Sequence, residues 1–259
     1  MRTPATSTPL ARRRLLVQGG ALAGAALLMA GCGTSAHTDR GEVQAASLQS
    51  TELAQSDVNR MATLAMRDNL DGLYLLMDKL YRRNPAEWRK GALAPGQLPG
   101  RIQAGQRVRE AVEQRQPWAP LQGRRDIAAL ALSPEFTGDR VAAVTYATAD
   151  MIITAHGGKT EFFLIDSLDA QHLYNAARNV EIAVWLIAQR RDAATGQPLL
   201  LADEIAPGVR NLSFEREYGK IIARLDLLAA VVAEKYRRAA ISYVQNLLGG
   251  TFLQFLPVR

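Results

Sequence analysis

One helical pattern constrains this chain more than any other feature. It runs from Ser213 to about Leu248, interrupted only by Gly219, and Gly249-Gly250 end it. At about 1.5 Å per residue those 36 residues make a helix of roughly 54 Å. A helix of that length is a spine, and shorter helices must cover it. From Ser56 a second pattern places Val58, Met61 and Ala65 on one stripe. Met66, Leu70, Leu73, Met77 and Leu80 form another, rotated by about a third of a turn. Two overlapping stripes mean a wide buried face or a kink near Gly72.

The remaining elements follow the same logic. Pro85 disfavours helix at Asn84 and suits the first turn of a short helix, "PAEWRKG". Residues 91–105, with two prolines and four glycines, read as a loop, and 106–116 as a polar surface helix. A short helix is expected over 124–132. A longer one, around "VAAVTYATADMIITA", is stopped by Gly157-Gly158. Residues 161–167 are a short strand or an apolar approach to the next helix. That helix, Leu168 to about Asp192, is capped by Ser167 with Asp169 and carries Leu173, Ala177, Val180, Val184 and Ile187 on one side. "AATGQP" is a turn, and "LLLADEIAPG" is a loop or short strand. No internal repeat is present. The fold class is all-α, a multi-helix bundle with one long C-terminal helix, as a single domain over residues 55–259.

The net charge of +6 first suggests a nucleic-acid partner. Its position argues otherwise. Residues 1–31 hold four arginines and no acidic residue, so removing them from the 31 basic residues leaves 27 against 25 acidic. The same stretch has an arginine cluster, an apolar run from Leu15 to Ala30, and small residues before Cys32, the layout of a secretory signal. The run is diluted by Gly19, Gly20 and Gly24 and falls just short of a ~30 Å bilayer core, which disfavours a permanent span. Residues 33–54 contain no aromatic side chain and read as a flexible tether, about 20 such residues reaching roughly 65–70 Å when extended.

Leu28-Met29-Ala30-Gly31-Cys32 resembles the lipobox of bacterial lipoproteins, with Met29 where that family usually has leucine. The resemblance implies cleavage before Cys32 and its acylation, palmitate included, which anchors the chain to a membrane. It makes residues 1–31 a signal peptide and Cys32 the lipidated start of the tether. Gly33, rather than aspartate, follows the cysteine, which by the same resemblance implies the outer membrane, facing the periplasm. Arg12-Arg13-Arg14-Leu15-Leu16 also resembles the twin-arginine export motif. An arginine-rich start of an ordinary secretory signal reads equally well, in a protein with 26 Arg and 5 Lys. The whole chain is similar to proteobacterial helical lipoproteins, which implies no activity beyond the anchor. With one cysteine, nothing in the mature part is disulfide-stapled.

Catalytic patterns are mostly absent. His37, His156 and His172 lack metal-ligand spacing, and there is no GxSxG, phosphate-cradling glycine loop or HExxH. No metal, cofactor or nucleic acid is expected. An enzyme would need a cluster of titratable groups that the sequence does not display. Asp150 stands out among small and apolar neighbours. A buried carboxylate needs hydrogen bonds or a cation, so Asp150 is either a ligand-binding acid in a cavity or a tie between helices through an arginine.

Tyr174, Arg178, Glu181 and Trp185 fall on one strip of the helix after Leu168, suiting a polar-headed ligand, a partner helix or an internal contact. Tyr81, Arg82, Arg83 and Trp88 concentrate aromatic rings and cations, the composition of interaction hot spots, or else of a packed helix end. Phe252 and Phe255 lie in an apolar tail that covers the core or meets a partner. The expectation is a lipid-anchored periplasmic binding or assembly module acting through a protein partner. The alternative is a small-molecule or lipid binder with a cavity lined by Asp150 and the Tyr174 strip.

Overall fold

In the computed structural model, residues 36–38, 41–43, 49–90, 100–116, 127–206 and 209–253 are described. The chain divides into two units, Met1–Leu53 and Ala54–Arg259. In the first, β1 (Ala36–Thr38) pairs antiparallel with β2 (Gly41–Val43), His37 opposite Glu42. This hairpin and a 3-10 helix at Ser50–Ala54 fall within the segment read from sequence as a tether.

The second unit is an all-α bundle, and α1 (Asp57–Arg83) sets its length. Ser56 starts α1 by accepting a hydrogen bond from the Asn59 N–H at 3.3 Å. The second stripe is buried at Met66, Leu73, Met77 and Leu80, whereas Val58, Met61 and Ala65 of the first are only half-buried. They form the rim of a wide face that also buries Ala62, Tyr74, Leu76 and Tyr81. The helix runs through Gly72 as one element. A Cβ there would lie 3.7 Å from Ile221, an ordinary contact.

At the far end Asn84 makes the junction. Its Nδ2 donates to the Leu80 and Leu201 carbonyls at 2.8 and 2.9 Å, and its Oδ1 accepts from the Leu201 N–H at 2.8 Å. Pro85 then opens α2 (Pro85–Arg89).

The next helix, α3 (Arg101–Glu113), begins earlier than its sequence suggests and is not a mere surface helix. It buries Ala104, Gly105, Val108, Ala111 and Val112. Gly105 looks like a breaker but serves close packing, since a Cβ there would meet Met77 Cε at 3.2 Å. The short α4 (Ile127–Ala131) leads to α5 (Arg140–Ala155), which is buried almost all round and occupies the centre. Asp139 caps α5 by accepting from the Ala142 N–H at 2.9 Å.

Gly157 and Gly158 end α5 with φ of 74° and 79°. The Gly158 N–H donates to the Ile153 carbonyl and the Gly157 N–H to that of Thr154, the paired bonds of a left-handed helix stop. Residues 161–167 form no strand. Asp169, rather than Ser167, caps α6 (Ala170–Gln189), accepting from the N–H groups of Gln171 and His172.

After α6, β3 (Glu204–Ala206) and β4 (Val209–Arg210) form a small antiparallel pair. The spine follows as α7 (Ser213–Leu253). It packs antiparallel on α1 and α6 through Phe214, Tyr218, Ile221, Leu225, Leu228 and Val232. Beyond Val232 every side chain from Ala233 to Gln245 is exposed, so the helix outruns its partners.

Candidate binding surface

The Tyr174 strip is a solvent-facing ridge of α6. Arg178 is its centre. Its Nη2 meets Glu181 Oε1 at 3.1 Å on the same helix and Asp226 Oδ2 at 2.7 Å on α7. The guanidinium also lies 5.0 Å from the centroid of the Tyr174 ring. One cation is thus fixed by two carboxylates and a ring, while Trp185 stands 61% exposed further along the ridge, with Ile182 exposed beside it. Arg178 Nε and Asp226 Oδ1 are screened from solvent and have no hydrogen-bond partner, so the ion pair is not fully satisfied. A large indole held in water beside an ordered polar centre is the composition of a docking surface. The sequence spacing places these four residues together; Asp226, which anchors them, comes from another helix and leaves no local signal.

Asp150 is not the buried acid its neighbours suggested. It is about one-third exposed and pairs with Arg115 Nη1 at 2.8 Å, tying α5 to the end of α3. Arg115 adopts φ 53°, the left-handed region. Its N–H donates to the Val112 carbonyl and that of Gln116 to Ala111, the same helix stop that Gly157 makes after α5. Asp150 is tied to the end of α3, whereas the Tyr174 strip is tied to α7. A polar cavity of about 220 Å³ is lined by Arg191, Asp203, Arg210 and the start of the segment at Leu200. Desolvation pushes the Asp203 carboxyl above its ordinary value, against the pull of Arg210 and Arg83.

The aromatic and cationic segment at Tyr81 splits by burial. Tyr81 is only 1% exposed and donates to Asp139 Oδ2 at 2.8 Å. Trp88 packs against the core with Arg89 4.9 Å from its ring centroid, Arg82 pairs with Asp78 at 2.9 Å, and Arg83 is half-buried. Two groups here had no sequence signal. Glu87 is buried, accepting from Lys90 Nζ at 2.7 Å and from the Arg140 backbone N–H at 2.8 Å. The buried Arg140 guanidinium donates to the carbonyls of Ala131 and Ser133 at 2.9 and 2.6 Å and of Pro134 at 3.4 Å, closing the end of α4. Burial raises the Asp139 carboxyl to about 6, although hydrogen bonds from the Ala142 N–H and Tyr81 lower it, and it drives the Tyr81 hydroxyl well above its ordinary value.

No family model, curated protein or solved structure matches this chain. What the surface does must follow from its own geometry. Among the described residues no three of His, Cys, Asp and Glu come together to hold a metal. His156 is buried with Nδ1 2.8 Å from the Ile152 carbonyl, so that nitrogen carries the proton, and burial lowers its pKa. His172 is exposed on α6. Cys32, the leader before it and Phe255 lie outside the described residues, and Phe252 is placed only as part of the α7 backbone.

Proposed function

We propose that this chain is a lipid-anchored helical module of the bacterial cell envelope. Acylated Cys32 holds it at the periplasmic face of the outer membrane, and it acts by docking a protein partner. The observation that carries the docking role is the α6 ridge, where Tyr174, Ile182 and Trp185 stand exposed along the fixed Arg178–Asp226 ion pair. The Tyr81 segment does not offer a comparable surface, because its largest aromatic groups are spent on the core. The lipobox-like residues before Cys32 support the anchor.

The test uses the full chain with a photo-crosslinking side chain at position 185, made with Cys32 and as C32S, in a bacterial envelope. With Cys32 the chain should carry acyl mass and stay with membranes after a high-salt wash; C32S should lose both. Illumination should give a discrete protein adduct at position 185 and none with the same group at exposed Lys220. A C32S chain that still pellets after the wash overturns the anchor. A chain giving no adduct at position 185 overturns the docking role.

A further inference from the structure

We infer that the end of the bundle at which the chain arrives from Cys32 is a contact surface for anionic phospholipid, independent of the acyl anchor. Three connections define that end. The Leu164 N–H donates to the Ala54 carbonyl at 2.8 Å, Asn59 Nδ2 donates to the Phe163 and Asp166 carbonyls, and Tyr236 donates to the Leu168 carbonyl at 3.2 Å. The start of α1, the loop before α6 and the departing half of α7 are therefore neighbours. On the same side Val58 shares a groove with Glu234, Lys235 and Arg238.

These elements expose large apolar side chains, alongside Asp57 at the start of α1, Glu161 at the start of the loop and the cations on α7. Ile165 at the loop tip is 95% exposed, with Leu164 exposed beside it. The loop is nonetheless firmly held: Thr63 Oγ1 accepts from the Phe162 N–H at 3.1 Å, and Asp166 pairs with Lys159 and accepts from the Phe163 N–H. A fixed loop that holds two large aliphatic side chains in water has a contact to make.

The projecting half of α7 matches it. At about 100° per residue, Tyr236, Ala240, Tyr243 and Val244 share one arc, while Lys235, Arg238, Ser242 and Gln245 take the opposite one. Tyr243 is 72% exposed. From Ala239 to Leu253 the helix carries no charged residue, and Lys235, Arg237 and Arg238 precede that stretch against the single carboxylate of Glu234. Glu234 pairs with Arg237 at 2.7 Å, which leaves Lys235 and Arg238 without an ion-pair partner among the described residues. Cations on a helix with an aromatic and aliphatic face suit a headgroup layer, where rings sit at the boundary and cations meet phosphate.

Charge complementarity selects this occupant. A second copy docking by two-fold symmetry would bring the same patch, and so the same cations, against themselves. No described helix is long and apolar enough to cross a membrane, which keeps the contact at the surface.

The inference deepens the membrane-attached reading above without depending on Cys32, so the two fail separately. The test uses the C32S chain from residue 32 onward, which lacks both the acylated thiol and the arginine-rich apolar leader, in flotation with vesicles of phosphatidylglycerol and phosphatidylcholine or of phosphatidylcholine alone. It should float with the anionic vesicles at low salt, and at least tenfold less with the neutral ones or in 0.5 M salt, as roughly expected for screened headgroup attraction. I165D should weaken flotation about fivefold or more, and so should the double change I241D/V244D, Ile241 being exposed at the edge of the arc that holds Val244. Because these side chains are exposed, thermal melts should be unchanged. An I165W chain should show a blue shift and quenching by brominated lipid. Absence of flotation, or unchanged I165W emission, overturns the inference. So does self-association of the C32S chain that I241D/V244D abolishes without any vesicle binding, which would assign the face to a second copy.

Discussion

Where α1 finishes, polar groups have left water and found partners: Tyr81 on Asp139, Glu87 on the Arg140 backbone, Arg140 on three carbonyls, and Asn84 bridging Leu80 and Leu201. Where α1 begins, apolar groups remain in water: Leu164, Ile165, Tyr243 and Val244. Each arrangement reverses the usual preference of its side chains. At the first end desolvation is offset because these side chains pair with one another and with backbone groups, which fixes their geometry. At the second end nothing is offset, so the free energy of burial is still to be gained from a contact. One end closes the bundle, and the other is left to bind.

The sharpest way to break this comparison is to remove one charge from each end. R140A deletes charge-assisted bonds to the Ala131 and Ser133 carbonyls in a buried site and should cost about 2–4 kcal/mol in urea denaturation. R238A removes an exposed cation and should change stability by no more than about 0.5 kcal/mol. Equal costs would mean that the polar network does not hold the closed end.

The next effect is a pH dependence at that same end. The Asp139 carboxyl is raised from 3.8 to about 6, chiefly by desolvation. A carboxyl with a higher value folded than unfolded binds its proton more tightly in the native state. Its contribution is therefore complete below about pH 4 and is lost as pH rises through about 6. Asparagine caps a helix as well as aspartate and does not titrate, so D139N isolates the slope. Across that window the wild type should lose about 2–3 kcal/mol relative to D139N, with a constant difference above pH 7. A constant difference at every pH would show that Asp139 is solvated like an ordinary surface acid.

The helices themselves were largely legible in the sequence. The 3.6-residue period marks α1, α5, α6 and α7 because one face of each, or nearly all of α5, is buried. The period could not show that α7 outruns its partners, since the pattern continues through Tyr236 and Tyr243 whether or not a helix faces them. Gly105 misled for a related reason: its role is a close approach to Met77, which no local pattern contains. The same limit governs the surface. Composition drew equal attention to Trp88 and Trp185, but only packing shows that the first rests on the core and the second on water. Glu87 and Arg140 are separated by more than fifty residues and meet only through the fold.

The smallest effect is expected at Arg115, which is neither buried like the closed end nor unpartnered like the open one. It occupies a helix stop where Gly157 serves in α5, and a side chain at φ 53° costs about 1 kcal/mol relative to glycine. Its ion pair with Asp150, more than a third exposed on both sides, is worth at most about 1 kcal/mol after solvent screening. R115G exchanges one for the other and should leave stability within about 0.5 kcal/mol of wild type. D150N breaks the pair but keeps the strained backbone, so it should be the less stable of the two. Both changes break the pair, so the gap between their melting midpoints reports the backbone cost alone, and R115G against wild type reports the pair less that cost. If R115G melts below wild type, the pair outweighs the backbone cost. If R115G does not melt above D150N, the left-handed backbone at Arg115 carries no cost that glycine relieves.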